Sequence, residues 1–146
     1  MESYHKVLME LDELMRSIGK YFIPDLDSLN QFHLTHRQKM ILLLFLRNNQ
    51  ITLTEIAQFF EISKSAVSQS LNKLEQENLL IRTINPENRR EVNLELGENG
   101  KRIQKDLQEL EHKMLNNYLK KIPLDDLYQV VKVLRKLEAI VSQENK

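Results

Sequence analysis

One stretch decides the fold: residues 51–80, which read ITLTEIAQFFEISKSAVSQSLNKLEQENLL. A short helix is predicted from Thr52 or Thr54, since either threonine can cap it, and a brief turn follows. Ser63 is then a good N-cap for a second helix over residues 64–77. The inward positions of this second helix, which recur at helical spacing, are Val67, Leu71 and Leu74.

A hairpin signal comes next along the chain. Asn78 stands where a glycine often follows a helix, and asparagine tolerates the left-handed conformation. Residues 80–84 are rich in β-formers, and residues 91–96 alternate polar and apolar side chains with period two. Between them, residues 85–90 form a polar turn with a basic tip. Helix, turn, helix and two-stranded ribbon together predict a winged helix-turn-helix.

Further helices are predicted on both sides of this lobe. One covers residues 4–20, and another starts near Thr35, which can cap it. The last third reads as two helices, residues 98–121 and 124–142, because Pro123 breaks the pattern. The first and last helices each carry a strong apolar stripe, so we predict that the two ends of the chain form one dimer interface.

The predicted fold class is therefore mainly α with a small two-stranded β wing. Residues 1–34 are expected to hold the N-terminal helix, as part of a dimerisation region. Residues 35–97 are expected to form the winged helix-turn-helix lobe. Residues 98–146 supply two C-terminal helices to the dimerisation region.

Composition limits the possible functions of these 146 residues. There is no cysteine, which excludes a disulfide scaffold, a cysteine-ligated zinc site and a thiol redox sensor. No glycine-rich phosphate loop or nucleophile elbow is present, so neither an enzyme nor a cofactor is predicted. The longest apolar run, residues 40–46, is far shorter than the ~20 residues that span a bilayer. Without a targeting signal either, we expect a cytoplasmic protein with no membrane partner.

The formal net charge of the chain is zero, because 21 Lys and Arg residues balance 21 Asp and Glu residues. Any attraction to DNA must therefore come from a local arrangement of basic residues. No acid interrupts residues 63–74, so the polar face of the second helix can enter a major groove without repelling phosphates. Gln69 and Asn72 carry amide groups that match adenine edges. An ordinary solvated helix face is the competing interpretation. The candidate DNA contacts on this helix are Lys64, Ser65, Ser68, Gln69, Asn72 and Lys73.

The tip of the ribbon carries the other candidate contacts, Arg89 and Arg90. An arginine held there can enter a minor groove or clamp a phosphate. Taken without the adjacent helices, a solvent-facing hairpin would be the preferred interpretation. Residues 62–92 hold five bases and four acids, so their net charge is only +1 and DNA binding should be salt-sensitive.

The hairpin motif NPENRR at residues 85–90, with LTEIA at 53–57, ISKSAVS at 62–68 and Gly100, resembles the MarR family of bacterial transcription regulators. The resemblance extends over nearly the whole chain. It implies a triangular obligate homodimer on a pseudo-palindromic operator, with the six recognition-helix contacts above and Arg90 in the minor groove. It also implies a repressor released by a small ligand, since the absence of cysteine excludes release by thiol oxidation. The chain departs from the family pattern at four positions: Glu61 (usually Gly), Ser70 (usually apolar), Asn88 (usually Asp) and Gly97 (usually Thr).

Two alternative functions remain open. One is a protein-binding module that keeps this fold but titrates a protein partner instead of DNA. The other is a zinc-responsive regulator, although no metal site is predicted and surface or interfacial histidine is the simpler reading of His33, His36 and His112. Aromatic side chains that could line an effector cavity, but that we assign to the core, are Tyr21, Phe22, Phe32, Phe45, Phe59 and Phe60.

Overall fold

The computed structural model describes residues 2–90 and 92–145, and in these residues the chain is mainly helical with one two-stranded antiparallel sheet. Two 3₁₀ segments, Ile23–Phe32 and Leu119–Lys121, interrupt the helices. The elements are α1 (Glu2–Phe22), α2 (His36–Arg47), α3 (Leu53–Phe60), α4 (Lys64–Gln76), β1 (Leu80–Ile84), β2 (Val92–Leu96), α5 (Glu98–Asn117) and α6 (Leu124–Glu144).

Side-chain caps begin the central helices where the sequence predicts them. The Thr35 hydroxyl accepts the Gln38 N–H at 3.2 Å, and the Gln38 side chain accepts the Thr35 N–H at 2.9 Å, which completes a capping box. Thr52 and Glu55 form the same box at the start of α3, so Thr52 rather than Thr54 is the cap. Ser63 caps α4 through a 3.1 Å bond from the Ala66 N–H.

The predicted long helix over residues 98–121 is wrong at its C-terminal end. It stops at Asn117, and the 3₁₀ segment leads into α6 after Pro123. The Asn116 side chain donates to the His112 carbonyl and accepts from Lys120. Such local side-chain bonds compete with helical backbone bonds, and asparagine is a poor helix former. At the other end of the chain, the first helix extends beyond the predicted residues 4–20 to Phe22, and a 3₁₀ segment begins at Ile23.

Contacts divide the chain into two units, Met1–Gln108 and Glu109–Lys146. The first unit holds the core, to which α2, α3, α4, β1 and the first half of α5 contribute. Burying one such apolar side chain contributes about 1.5–3 kcal/mol. Its most deeply buried members are Phe45, Ile41, Leu42, Ile56, Leu71, Leu74, Leu79, Leu80, Ile103 and Val67.

The apolar stripes of α1 and α6 are exposed to solvent in the single chain. In α1 the exposed stripe consists of Val7, Leu8, Leu11, Leu14 and Ile18. In α6 it includes Val130, Leu134, Leu137 and Val141, with Leu134 57% exposed. None of the helices in residues 2–90 and 92–145 has an apolar stretch long enough to cross a lipid bilayer.

The corner that follows α4 is closely packed against the start of α5. Asn78 has φ 53°, which confirms the predicted left-handed residue. A Cβ added at Gly100 would overlap the carbonyl oxygen of Leu79, and one at Gly97 would overlap the carbonyl oxygen of Asn78. Both glycines are therefore required by the close approach of backbone to backbone.

Candidate nucleic-acid interface

The predicted recognition helix is α4, which the core holds by one face. Val67, Leu71 and Leu74 are fully buried against the other helices of the lobe. On the opposite side, Lys64, Ser65, Gln69 and Asn72 are exposed, whereas Ser68 and Lys73 are partly buried. The structure thus brings the six predicted residues onto one helix but does not leave all of them equally open.

The turn between α3 and α4 is built on a left-handed residue. Glu61 has φ 53° and ψ 43°, and its N–H bonds back to α3. The next N–H, of Ile62, donates to the Ala57 carbonyl at 3.0 Å, so the end of α3 is closed by main-chain bonds. A glycine would adopt this conformation without steric cost, which accounts for the glycine usual at this position in the family that the sequence resembles.

Arg82 is a functional candidate that was not predicted from the sequence. It lies in β1, opposite Leu94 of β2, and its guanidinium reaches across to α4. It pairs with Glu75 through Nε (2.7 Å to Oε1) and Nη2 (3.1 Å to Oε2). The same guanidinium donates to Ser68 Oγ at 2.5 Å and to Asn72 Oδ1 at 2.8 Å. Two predicted DNA contacts are therefore held by the first strand of the wing.

A sequence signal for this cluster exists. Strand side chains alternate between faces, so Arg82 shares the face of the buried Leu80. A base on the inward face of a strand requires an acid close by, because an unpaired charge there is costly. Glu75 is the nearest preceding acid along the chain apart from Glu77, whose carboxylate pairs with Lys73 at 2.6 Å.

The wing tip is ordered by its own asparagines. Asn85 Oδ1 accepts the Glu87 N–H at 3.0 Å, and Asn88 Oδ1 accepts the Arg90 N–H at 3.2 Å. These are local turns of the kind that asparagine favours. Asn88 thus holds the backbone of Arg90, where an aspartate in the family pattern would pair with an arginine side chain. Arg89 and Arg90 are both exposed.

A cleft of about 310 Å³ joins the recognition helix to the wing. Its lining includes Lys64, from the first turn of α4, and Arg90, from the wing tip. Two cationic residues from separate elements therefore line one cleft, an arrangement that suits a phosphate group. The remaining lining residues are Thr52, Leu53, Thr54, Val92 and Asn93.

A second cleft, of about 260 Å³, lies between the first 3₁₀ segment and the start of α5. It is lined on one side by Ser28, Gln31 and Phe32. Among the described residues, the buried hydroxyl of Ser28 has no hydrogen-bond partner. The α5 side of the lining consists of Asn99, Arg102, Ile103, Lys105 and Asp106.

The histidines proposed as metal ligands and the aromatic residues assigned to the core can now be located in the structure. Within residues 2–90 and 92–145 no three His, Cys, Asp or Glu side chains come close enough to hold a metal ion, so His33, His36 and His112 form no such group. Phe32 and Phe45 are core residues, while Tyr21 and Phe59 are exposed. Phe60 is partly buried and meets Phe59 edge to face. The Phe22 side chain lies outside the described residues.

Comparison with known proteins relates this geometry to a family. A model described as the MarR family matches residues 34–91. The HTH-type transcriptional repressor MdtR of Bacillus subtilis (strain 168) is 23% identical over 147 residues, covering all of this chain and 95% of MdtR.

Solved structures share the fold over most of their length. The MarR family transcription regulator SP03579 has 18% identity and a TM-score of 0.66, over 97% of this chain and 92% of its own. The S. aureus MepR–DNA complex has 22% identity and a TM-score of 0.58, over 89% of this chain and 98% of the MepR chain. At these identities the likeness establishes the winged-helix fold.

Proposed function

We propose that the chain is a member of the MarR family of transcription regulators, and that it is a repressor that binds a pseudo-palindromic operator as a homodimer and is released by a small ligand. Members of this family are regulators rather than enzymes, so the proposal assigns no catalytic activity to this chain. Its proposed partners are double-stranded DNA, a second copy of itself and an effector. Since the proposed operator would lie on a bacterial chromosome, as for other regulators of this family, the proposed place of action is the cytoplasm.

The observation that carries the DNA-binding proposal is the shared cleft of Lys64 and Arg90. A cation at the start of the recognition helix and one on the wing supply phosphate contacts on either side of an open polar helix face. Ser65 and Gln69 are exposed on that face, where they can reach base edges. MdtR is named a transcriptional repressor and MepR has been solved with DNA, which supports the same role here.

Homodimerisation is proposed from the open apolar stripes of α1 and α6. Contiguous exposed apolar surface of this kind marks an interaction site. The residue spacing in α6 alternates steps of three and four, which suits packing against another helix. A twofold dimer would present two recognition helices to half-sites about 34 Å apart, or one turn of DNA.

We propose that the ligand that releases the protein from DNA binds in the cleft lined by Ser28 and Arg102. Its apolar wall of Phe32 and Ile103 and its polar rim suit a small organic molecule. Asn99 lines this cleft and also bonds to the main chain that follows α4. A ligand that favours another position of α5 would therefore act on the recognition helix, which is the differential binding that allostery requires.

The test is a selection of random DNA duplexes by the purified protein, at low and at moderate salt. We expect enrichment of a pseudo-palindrome that survives moderate salt. The matched control carries Gln69→Ala and Asn72→Ala, which keep the charge and should bind DNA with weaker enrichment. Binding without enrichment, lost as salt rises, would contradict the proposal and favour the protein-binding module.

A further inference from the structure

The hydrogen bonds from Arg82 to α4 affect which DNA bases the helix can recognise. This inference rests on the proposed DNA-binding function. Arg82 donates to three side chains of α4, those of Ser68, Asn72 and Glu75, which lie on successive turns. The bonds run from a strand to a helix and not within either element. The guanidinium therefore sets the orientation of groups on the face that would meet DNA.

Charge excludes the simplest alternative, that Arg82 is itself a phosphate contact. Its side chain is only 18% exposed, and Glu75, 30% exposed, faces it with both carboxylate oxygens. A bidentate carboxylate is the preferred partner of a guanidinium and neutralises it locally. Arg82 is in this respect unlike Arg89 and Arg90, which are exposed at the wing tip.

Orientation is what Arg82 supplies. The Asn72 oxygen points at Arg82 Nη2, so the Asn72 amide nitrogen is directed away from the strand with its two hydrogens. The Ser68 oxygen accepts from Nη1, which occupies one of its two lone pairs and leaves the Ser68 hydroxyl hydrogen to donate toward DNA. Both side chains are therefore presented as hydrogen-bond donors.

An Asn72 side chain that can only donate cannot make the bidentate contact of a complete amide group. The bidentate contact with adenine needs the Asn72 oxygen and nitrogen to face the base together. With the oxygen held by Arg82, the nitrogen matches acceptors instead, such as O6 and N7 of guanine or O4 of thymine. Adenine also has the N7 acceptor, but its N6 amino donor lies beside it and would face the Asn72 amide hydrogens. We infer that Arg82 is a specificity-determining positioning residue, which holds Asn72 and Ser68 as donors and so selects bases that present major-groove acceptors without an adjacent donor, guanine or thymine, at the positions they contact.

The test compares base preferences selected by the wild type and by variants. Arg82→Lys keeps the charge opposite Glu75 but cannot bond three side chains at once. We expect it to reduce, by about tenfold, the preference at two positions of each half-site and to leave the others unchanged. The slope of affinity against salt should not change, because no phosphate contact is lost.

A double variant, Arg82→Gln with Glu75→Gln, removes both charges and separates positioning from the effect of an unpaired Glu75. It should lose the same two preferences. The matched control is Glu77→Gln, which breaks the other ion pair of this region, with Lys73, without touching Ser68 or Asn72. Its base preferences should equal those of the wild type.

Asn72→Ala provides an arm that needs no change at Arg82. If the preference it removes is for guanine or thymine, the inference holds, and if it is for adenine, the inference is overturned. Unchanged base preferences in a folded Arg82→Lys protein would overturn it as well. Failure of the proposed function is distinct, because the wild type itself would then enrich no motif, which overturns both proposals.

Discussion

The backbone carbonyl of Asn78 accepts the N–H of Asn99 at 3.0 Å, so the corner that ends the recognition helix also caps the start of α5. The Asn99 side chain returns the contact by donating to the Glu77 carbonyl at 2.7 Å. The first N–H groups of a helix have no partners within it, and here the left-handed Asn78 supplies one. The end of α4 and the start of α5 are thereby joined.

Gly100→Ala should weaken this junction. The added Cβ would overlap the carbonyl oxygen of Leu79, which is main chain and cannot rotate away. We expect the free energy of unfolding to fall by about 1–3 kcal/mol, measured by denaturant titration. Lys101→Ala, one residue on, removes only an exposed ion pair with Glu98 and should be nearly neutral. Equal stability of the two variants would show that the junction yields.

Glu61→Gly should stabilise the lobe. A left-handed conformation costs a residue with a Cβ about 1–2 kcal/mol, and glycine avoids this cost. Glycine also increases the conformational entropy of the unfolded chain, which offsets part of the gain in stability. We expect a net gain of about 0.5–1 kcal/mol in the free energy of unfolding. Glu61→Ala also removes the charge but keeps the Cβ, so it serves as the control and should show no gain. A gain in both variants would assign the effect to charge.

Arg90→Ala should weaken binding to the selected operator and leave the dimer intact. Losing one phosphate or minor-groove cation should reduce the slope of log affinity against log salt by about 1. Fluorescence anisotropy at several salt concentrations measures this slope. Lys132→Ala on α6 removes an equal charge far along the chain and should leave the slope unchanged. An Arg90→Ala protein with wild-type affinity would refute the role of the wing.

Leu134→Glu should dissociate the proposed dimer. The substitution places a charge in the exposed stripe of α6, where burial against another chain would leave it unpaired. We expect a monomer by light scattering and loss of operator binding. Lys136→Glu, on the same helix, changes charge without removing an apolar residue and should remain dimeric. A dimeric Leu134→Glu protein would place the self-contact elsewhere.

Local signals in the sequence predicted much of the fold. The caps at Thr35 and Ser63 and the left-handed Asn78 were correct, because each depends on residues within four positions along the chain. The end of α5 was missed, since the Asn116 side chain competes with the helix in a way that apolar periodicity does not register. Apolar spacing therefore locates helices better than it locates their ends.

The site was only partly predictable for a related reason. The six candidate residues of α4 can be predicted from the polar face of one helix. The hydrogen bonding of Ser68 and Asn72, however, depends on Arg82 in β1. Arg82 is 14 residues from Ser68 and 10 from Asn72, so no pattern confined to one helix reveals those bonds. The left-handed Glu61 was equally hidden, because glutamate carries no signal for that conformation.

The internal pairing of Lys73 with Glu77 and of Arg82 with Glu75 bears on how such a protein would search a genome. Lys73 and Arg82 each have a carboxylate already, which leaves three of the five bases in residues 62–92, Lys64, Arg89 and Arg90, to displace counterions from arbitrary DNA. A genome offers about 10⁶–10⁹ competing sites, and a weakly attracted reader is less titrated by them. Occupancy of the operator would then follow from contacts with its bases rather than from long residence on bulk DNA.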